Sequence, residues 1–266
     1  MPKVSFIMGA YNCERYIKES MDSMLSQDFE DFEIVVCDDG SKDRTLEMLK
    51  CYEEKWPDKV VVIQNEKNKG LNATLNSCIA VARGEYLARQ DADDLSCPKR
   101  IRMQLDFLKK NPGIDFVSSD MLFFDADEAW GSTSVKEFPV ARDFLKSSPF
   151  CHAPTMFRRE CLISVNGYRE KKRLLRVEDY DLFSRLYAAG FVGANIKKPL
   201  YSMRDGREAE QRRAYRFRVN AAVARLVAYS SLNFPFYLYP YAFRPLIVGA
   251  LPKPVYRFLR GKRLAR

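Results

Sequence analysis

Three carboxylates crowd into four positions at the end of an apolar run, in EYLARQDADDLSCPKR (85–100). Left alone, Asp91, Asp93 and Asp94 would raise one another's pKa. In an extended strand end Asp91 and Asp93 point one way and Asp94 the other. D-x-D is then a two-pronged oxygen site for a hard cation, Mg²⁺ or Mn²⁺, that keeps waters and shares oxygens with a diphosphate. The plainer alternative is an acidic turn, with Asp94 capping the helix near Pro98. A second acidic stretch, CDDGSKD (37–43), is turn chemistry in which Ser41 or Asp43 caps the next helix. Beside a real metal site, a carboxylate there gains a second use, accepting a hydrogen bond from a nucleotide base. Asp179 precedes Leu182 and Phe183 on one helical stripe, so it is either an N-terminal cap or a base in a cleft.

The elements that must position these groups follow from periodicity. VSFIM (4–8), FEIVVCDD (32–39), VVVIQ (60–64), EYLARQ (85–90) and IDFVSS (114–119) read as strands. Helical patterns fill the intervals, at 14–27, 43–55, 71–83 and 98–110. Alternating strands and helices predict an α/β fold, a Rossmann-like mostly parallel sheet with helices on both faces. Ligands in such sheets sit beyond the carboxyl ends of the strands. That rule selects GAYN (9–12), CDDGS (37–41) and QDADD (90–94). After residue 120 the alternation becomes irregular, until VEDYDLFSRLYAAGF (177–191) gives a clear helix stopped by Gly190.

The chain has 266 residues, 47% apolar and 30% charged, enough for one large domain with a full core plus an extension. No G-x-G-x-x-G follows the first strand and no P-loop occurs, which excludes the usual dinucleotide and ATP cradles. Without a glycine cradle, the acidic strand ends need a cation to hold phosphate. The seven cysteines are scattered with no C-x-x-C pair, so neither a disulfide framework nor a structural zinc site is expected. The opening MPKVSFIM reads as a strand rather than a signal peptide, and a cytoplasmic setting is expected.

Four stretches resemble the family 2 glycosyltransferases of the GT-A fold, of the kind that builds bacterial surface polysaccharides. They are VSFIMGAYNCERYIKESMDSMLSQDFEDFEIVVCDDGSKDRT, NKGLNATLNSCIAVARGEYLARQDADDLSCPKRIRMQ, HAPTMFRRE and VEDYDLFSRLYAAG, in the family's order over roughly residues 3–205. The resemblance implies an inverting transferase that takes a sugar from a nucleotide-sugar, most often uridine-based. It implies that Ala10, Tyr11, Asn12 and Asp39 contact base and ribose, and that Lys69 and Asp91 belong to the donor site. It gives Asp93 the metal, Asp94 the extra acidic position, and Asp179, beside Glu178, the role of catalytic base. His152, the one histidine in the chain, stands where relatives often carry a metal or diphosphate contact, and equally reads as packing. No G-x-S-x-G elbow accompanies it, so a serine hydrolase is not supported.

Charge divides the chain into a catalytic body, 1–206, and an extension, 207–266. The body comprises a nucleotide-sugar half, 1–120, and an acceptor half, 121–206. Residues 207–266 hold 13 Lys/Arg against 2 Asp/Glu, whereas 1–206 is nearly neutral. A helix is expected at 207–229, with Tyr215, Val219, Ala222, Leu226 and Tyr229 on one face. LNFPFYLYPYAFRPLIVGALP (232–252) is aromatic but is interrupted by Pro235, Pro240 and Pro245, which argue against a simple spanning helix. Tyr and Phe mixed with Arg suit an anionic lipid headgroup layer, so peripheral attachment to the cytoplasmic membrane face is expected. A polyprenyl-linked saccharide acceptor, inferred from the family, fits that placement. The alternatives are a tail that docks on protein, a catalytically silent assembly partner, and nucleic-acid binding through arginines and aromatics. The last gives the acidic strand ends no role, and no nucleic-acid partner is expected.

Overall fold

The structure, a computed structural model, describes residues 1–125, 128–204 and 215–250. Its centre is one sheet ordered β3-β2-β1-β4-β8-β6-β9-β5, with β7 hairpinned onto β6. The first four strands are β1 (Val4–Ala10), β2 (Phe32–Asp38), β3 (Val60–Gln64) and β4 (Tyr86–Asp91). They are mutually parallel, because each is joined to the next by a helix. Those helices are α1 (Ile17–Leu25), α2 (Thr45–Lys55) and α3 (Leu71–Val81). The α/β expectation therefore holds, and the carboxyl ends of β1, β2 and β4 lie side by side as a ligand edge requires.

The far half of the sheet explains the irregular sequence pattern. β6 (Phe116–Asp125) and the twelve-residue β9 (Gly193–Arg204) are parallel to each other, with register shifts around Asp120. The short antiparallel β8 (Met156–Arg158) stitches β6 to β4. The two-residue β5 (Leu95–Ser96) pairs with the end of β9, so that end lies against the acidic turn. β7 (Glu128–Ser132) closes the hairpin on β6.

Apolar layers cover both faces. Phe6, Met8, Ile34, Val36, Ile101 and Leu105 fill one side, with α1, α2 and α4 (Arg100–Lys110). Ile7, Val35, Leu75, Phe116, Phe157 and Phe183 fill the other. There α3, α5 (Arg159–Ser164) and α6 (Glu178–Ala188) pack. Helix α6 ends as its sequence requires, with Gly190 at φ 91° just beyond the last turn.

The extension docks on this second side. Helix α7 (Tyr215–Ser231) seats Ala224 and Ala228 in that core. A smaller cluster of Leu145, Tyr229 and Ala242 anchors the last two elements, a 3₁₀ segment (Phe236–Phe243) and α8 (Arg244–Ala250). The expected helix face was partly misplaced. Ala222 and Tyr229 are buried, but Tyr215 and Val219 are 55% and 43% exposed. The alanines carry the contact because α7 lies close against the body. Residues 207–214 of the expected helix lie outside the described residues.

Candidate active site

Strand β4 ends at Asp91, and Ala92 and Asp93 form a turn. The alternation expected past Asp91 therefore stops one residue early. Asp91 is not an unpaired prong. Arg89, two residues back on the same face of β4, lays both terminal nitrogens on it. The Nη1 to Oδ2 and Nη2 to Oδ1 distances are 2.8 and 2.6 Å. Asp94 does not cap α4. It is buried, and its Oδ1 accepts the backbone N–H of Arg204 at 2.7 Å. Burial and then Asp91 push Asp94 well above the usual carboxylate range. Asp93 is also raised, by burial first and Asp91 second, while Arg89 and Arg204 pull it back. No hydrogen bond from another side chain engages the Asp93 carboxylate among the described residues.

A polar lattice under the turn fixes its shape. Arg100 is fully buried, without a carboxylate partner. It donates to Gln90 Oε1 (3.0 Å), Ser96 Oγ (2.8 Å), Gln104 Oε1 (3.2 Å) and the carbonyl of Arg89 (2.6 Å). Gln90 passes this on, donating to the carbonyl of Asp94 at 2.9 Å. From the other side, the Arg204 guanidinium lies between Tyr16 and Phe124, 4.7 and 4.5 Å from the ring centres. Its Nε donates to the Asp93 carbonyl at 3.1 Å.

The ends of β1 and β2 form a second, knotted loop cluster. Ala10, buried at the end of β1, accepts the Asp39 N–H at 2.8 Å. Tyr11 is exposed beside it. Asn12 sits in the left-handed region at φ 48°, accepts from Lys42 N at 2.8 Å and donates its own N–H to Ser41 Oγ. Asp39 is buried and grips the loop after β3, accepting from Asn65 Nδ2 (2.8 Å), Lys69 N (2.9 Å) and Gly70 N (2.8 Å). Lys69 thus meets Asp39 through its backbone, and its side chain is exposed. Asp43 serves the next helix as expected, accepting from Thr45 N at 3.0 Å. Gly40 has φ +71°, and a Cβ there would meet Lys67 backbone at 2.9 Å, so the turn requires glycine.

Asp179 comes from the first turn of α6. The N-cap position is Val177, and Asp179, two residues on, takes the backbone N–H of Tyr180 in the first turn. The carboxyl is half-buried, and burial, then Glu178, raise it from 3.8 to about 6. Tyr180 N–H and Arg89 hold it from rising further. His152 Nε2 lies 2.8 Å from the Tyr168 hydroxyl, and its ring meets Tyr168 and Phe183. Burial, then Arg89, push His152 well below 6.5, so it is neutral at physiological pH. With Nε2 on the Tyr168 hydroxyl, Nδ1 is the ring nitrogen outside that contact. Among the described residues no group of three or more His, Cys, Asp or Glu side chains is placed to hold a metal. The donor set fits a divalent cation held by one carboxylate, Asp93, and otherwise by waters and a bound diphosphate.

Residues 5–165 match the family model described as Glycosyl transferase family 2. The chain belongs to glycosyl transferase family 2. It is 39% identical over 263 residues to the putative glycosyltransferase EpsE of Bacillus subtilis, covering 99% of this chain and 95% of the relative. The fold matches S. aureus TarS 1–349 in complex with UDP-GlcNAc at a TM-score of 0.68 and 20% identity, over 95% of this chain and 82% of that one. It also matches a mannosyltransferase, PcManGT from Pyrobaculum calidifontis, in complex with GDP-Man and Mn²⁺. That likeness has a TM-score of 0.62 and 21% identity, over 98% of this chain and 79% of that one. At these identities the structures establish the GT-A fold.

For this glycosyltransferase the sequence reading missed the cations of the site. Arg89 bears on Asp91, Asp93, His152, Tyr168 and Asp179. Its signal was present, an arginine two residues before Asp91 on one strand. Arg204 gave none, since it reaches the acidic turn through a long-range pairing. Tyr201, which accepts the Asp91 N–H at 3.0 Å, comes from the same strand.

Proposed function

We propose that this family 2 glycosyltransferase moves a sugar from a nucleotide-sugar, UDP-linked, to a hydroxyl of a saccharide acceptor, with inversion, in the synthesis of a cell-surface polysaccharide. The observation that carries the reading is Asp179, a carboxyl raised to about 6 beside the acidic turn's arginine. A base poised near neutrality suits proton removal from a sugar hydroxyl. In this reading Asp179 takes the acceptor's proton as its oxygen attacks the anomeric carbon opposite the diphosphate. Ala10, Tyr11, Asn12, Asp39 and Lys69 form the donor's floor, with Asp39 acting chiefly by holding the β3 loop against it. Asp93 would hold Mg²⁺ or Mn²⁺, which when bound supplies Lewis-acid stabilisation to the departing diphosphate. His152 serves as a neutral contact from Nδ1 or as packing under Tyr168, and Glu178 and Asp94 support the site.

We assign catalysis to 1–206 and membrane attachment at the cytoplasmic face to 207–266. No helix among the described residues is long and apolar enough to cross a membrane. Instead the 3₁₀ segment and α8 turn aromatic groups outward. Phe236 and Tyr237 are 84% and 74% exposed, and Tyr241, Phe243 and Ile247 join them. Tyr237 and Phe243 fall on one face at three residues per turn, and Ile247 follows one α-helical turn later. Arg244 is exposed among them, and residues 251–266 add six basic and no acidic side chains. Each basic group near an anionic leaflet contributes about 1 kcal/mol. An acceptor carried on a polyprenyl lipid fits this attachment.

The test is a screen of nucleotide-sugars on purified full-length protein, read as Mn²⁺-dependent thermal stabilisation and then as transfer, with the product anomer assigned by NMR. A UDP-sugar that stabilises and is transferred with inversion supports the reading. Stabilisation by none of them, or retention of configuration, contradicts it.

A further inference from the structure

Arg89 has an unusual environment. Its side chain is 4% exposed, both terminal nitrogens are spent on Asp91, and its Nε is buried without a hydrogen-bond partner. Unlike Arg100, whose donors find amide, hydroxyl and carbonyl oxygens, Arg89 has Asp91 as the acceptor for both terminal nitrogens, so losing that carboxylate would leave its charge uncompensated. The pair therefore places one guanidinium bond on each Asp91 oxygen, and of the D-x-D only the Asp93 carboxylate carries no cation of the protein directly on it among the described residues. The cation of Arg89 also offsets part of the negative charge that Asp91 presents to the turn.

We infer that Arg89 is a built-in counter-cation that withholds Asp91 from the metal, leaving a one-carboxylate site that takes a divalent ion weakly until a diphosphate arrives with it. This rests on the donor and metal reading above and adds an order of assembly to it. The free enzyme does not accumulate the ion, and metal enters together with the nucleotide, whose phosphate oxygens supply the ligands that Asp91 does not. Arg89 is in this sense a positioning residue, acting through Asp91.

The probe is Mn²⁺ alone, titrated into full-length protein while electron paramagnetic resonance reports the free ion. Arg89→Met removes a repelling charge and frees a second carboxylate, so Mn²⁺ affinity should rise on the order of tenfold or more. The double variant Arg89→Met/Asp91→Asn should return to within about twofold of wild type, because the freed carboxylate is gone again. Arg89→Lys keeps the charge but cannot span both oxygens, and should show a smaller gain. That variant carries the test if Arg89→Met does not fold. An arginine needed only for packing predicts unchanged or weaker Mn²⁺ binding in every variant, and that result overturns the inference. Repeating the titration with UDP separates the two readings. Wild type that binds Mn²⁺ with UDP, beside variants with no gain in Mn²⁺ alone, removes the Arg89 role and leaves the donor site standing. No binding by any protein under either condition removes both.

Discussion

Replacing Asp179 by Asn should make the protein more stable and much less active. The carboxyl rises from 3.8 to about 6 in the fold, chiefly through burial. A raised acid is costly in its charged form, so the cost is full above pH 6 and absent below the unfolded value near 4. At about 1.4 kcal/mol per unit the ceiling is about 3 kcal/mol. Water reaches part of the carboxyl, so about 1–2 kcal/mol is expected at pH 8, or a Tm rise of about 2–6 °C. About half of that advantage should remain at pH 5, and about a fifth at pH 4. Urea unfolding of wild type and Asp179→Asn across pH 4–8 measures it. Turnover should fall about 10²–10⁴-fold while donor binding persists, and the wild-type rate should drop on the acid side with an apparent pKa near the same value of about 6. A variant less stable at pH 8 would show that the buried charge is not a cost to the fold, and one that keeps wild-type turnover would remove Asp179 from proton transfer.

Two further outcomes concern other parts of the molecule. Arg100→Met leaves Gln90, Ser96 and the Arg89 carbonyl without their donor, and should destabilise by about 3 kcal/mol or more in denaturant titration; a loss under about 1 kcal/mol would show that the lattice does not hold the turn. Serine at Tyr237, Phe243 and Ile247 together should release the protein from phosphatidylglycerol vesicles in sedimentation, with activity on a water-soluble acceptor unchanged, and undiminished vesicle binding would remove the stripe from membrane attachment.

The parallel half of the fold was readable because each of its strands is a short apolar run followed by an amphipathic helix. VVVIQ matches β3 residue for residue. Strand β9 was unreadable for an equally local reason. Lys197, Lys198 and Pro199 break its alternation, at the place where its register on β6 shifts. Missing β9 also hid Tyr201 and Arg204, which touch the acidic turn from more than a hundred residues away. In the site, the aspartates stood out as types, but what each one does depends on partners. Asp91 is spent on Arg89, Asp94 on a backbone amide, and Asp39 on a loop. The 3.6-residue period placed Ala222 and Tyr229 of α7 correctly and failed at Tyr215 and Val219, because small alanines rather than large side chains let that helix approach.

A crystal structure with UDP and Mn²⁺ would show the metal site itself. The expected result is a single ion between the Asp93 carboxylate and the diphosphate, with Asp91 still forked to Arg89 and Asp179 facing the sugar side. A diphosphate bound away from Asp93, or an ion resting on Asp91 with Arg89 displaced, would contradict it.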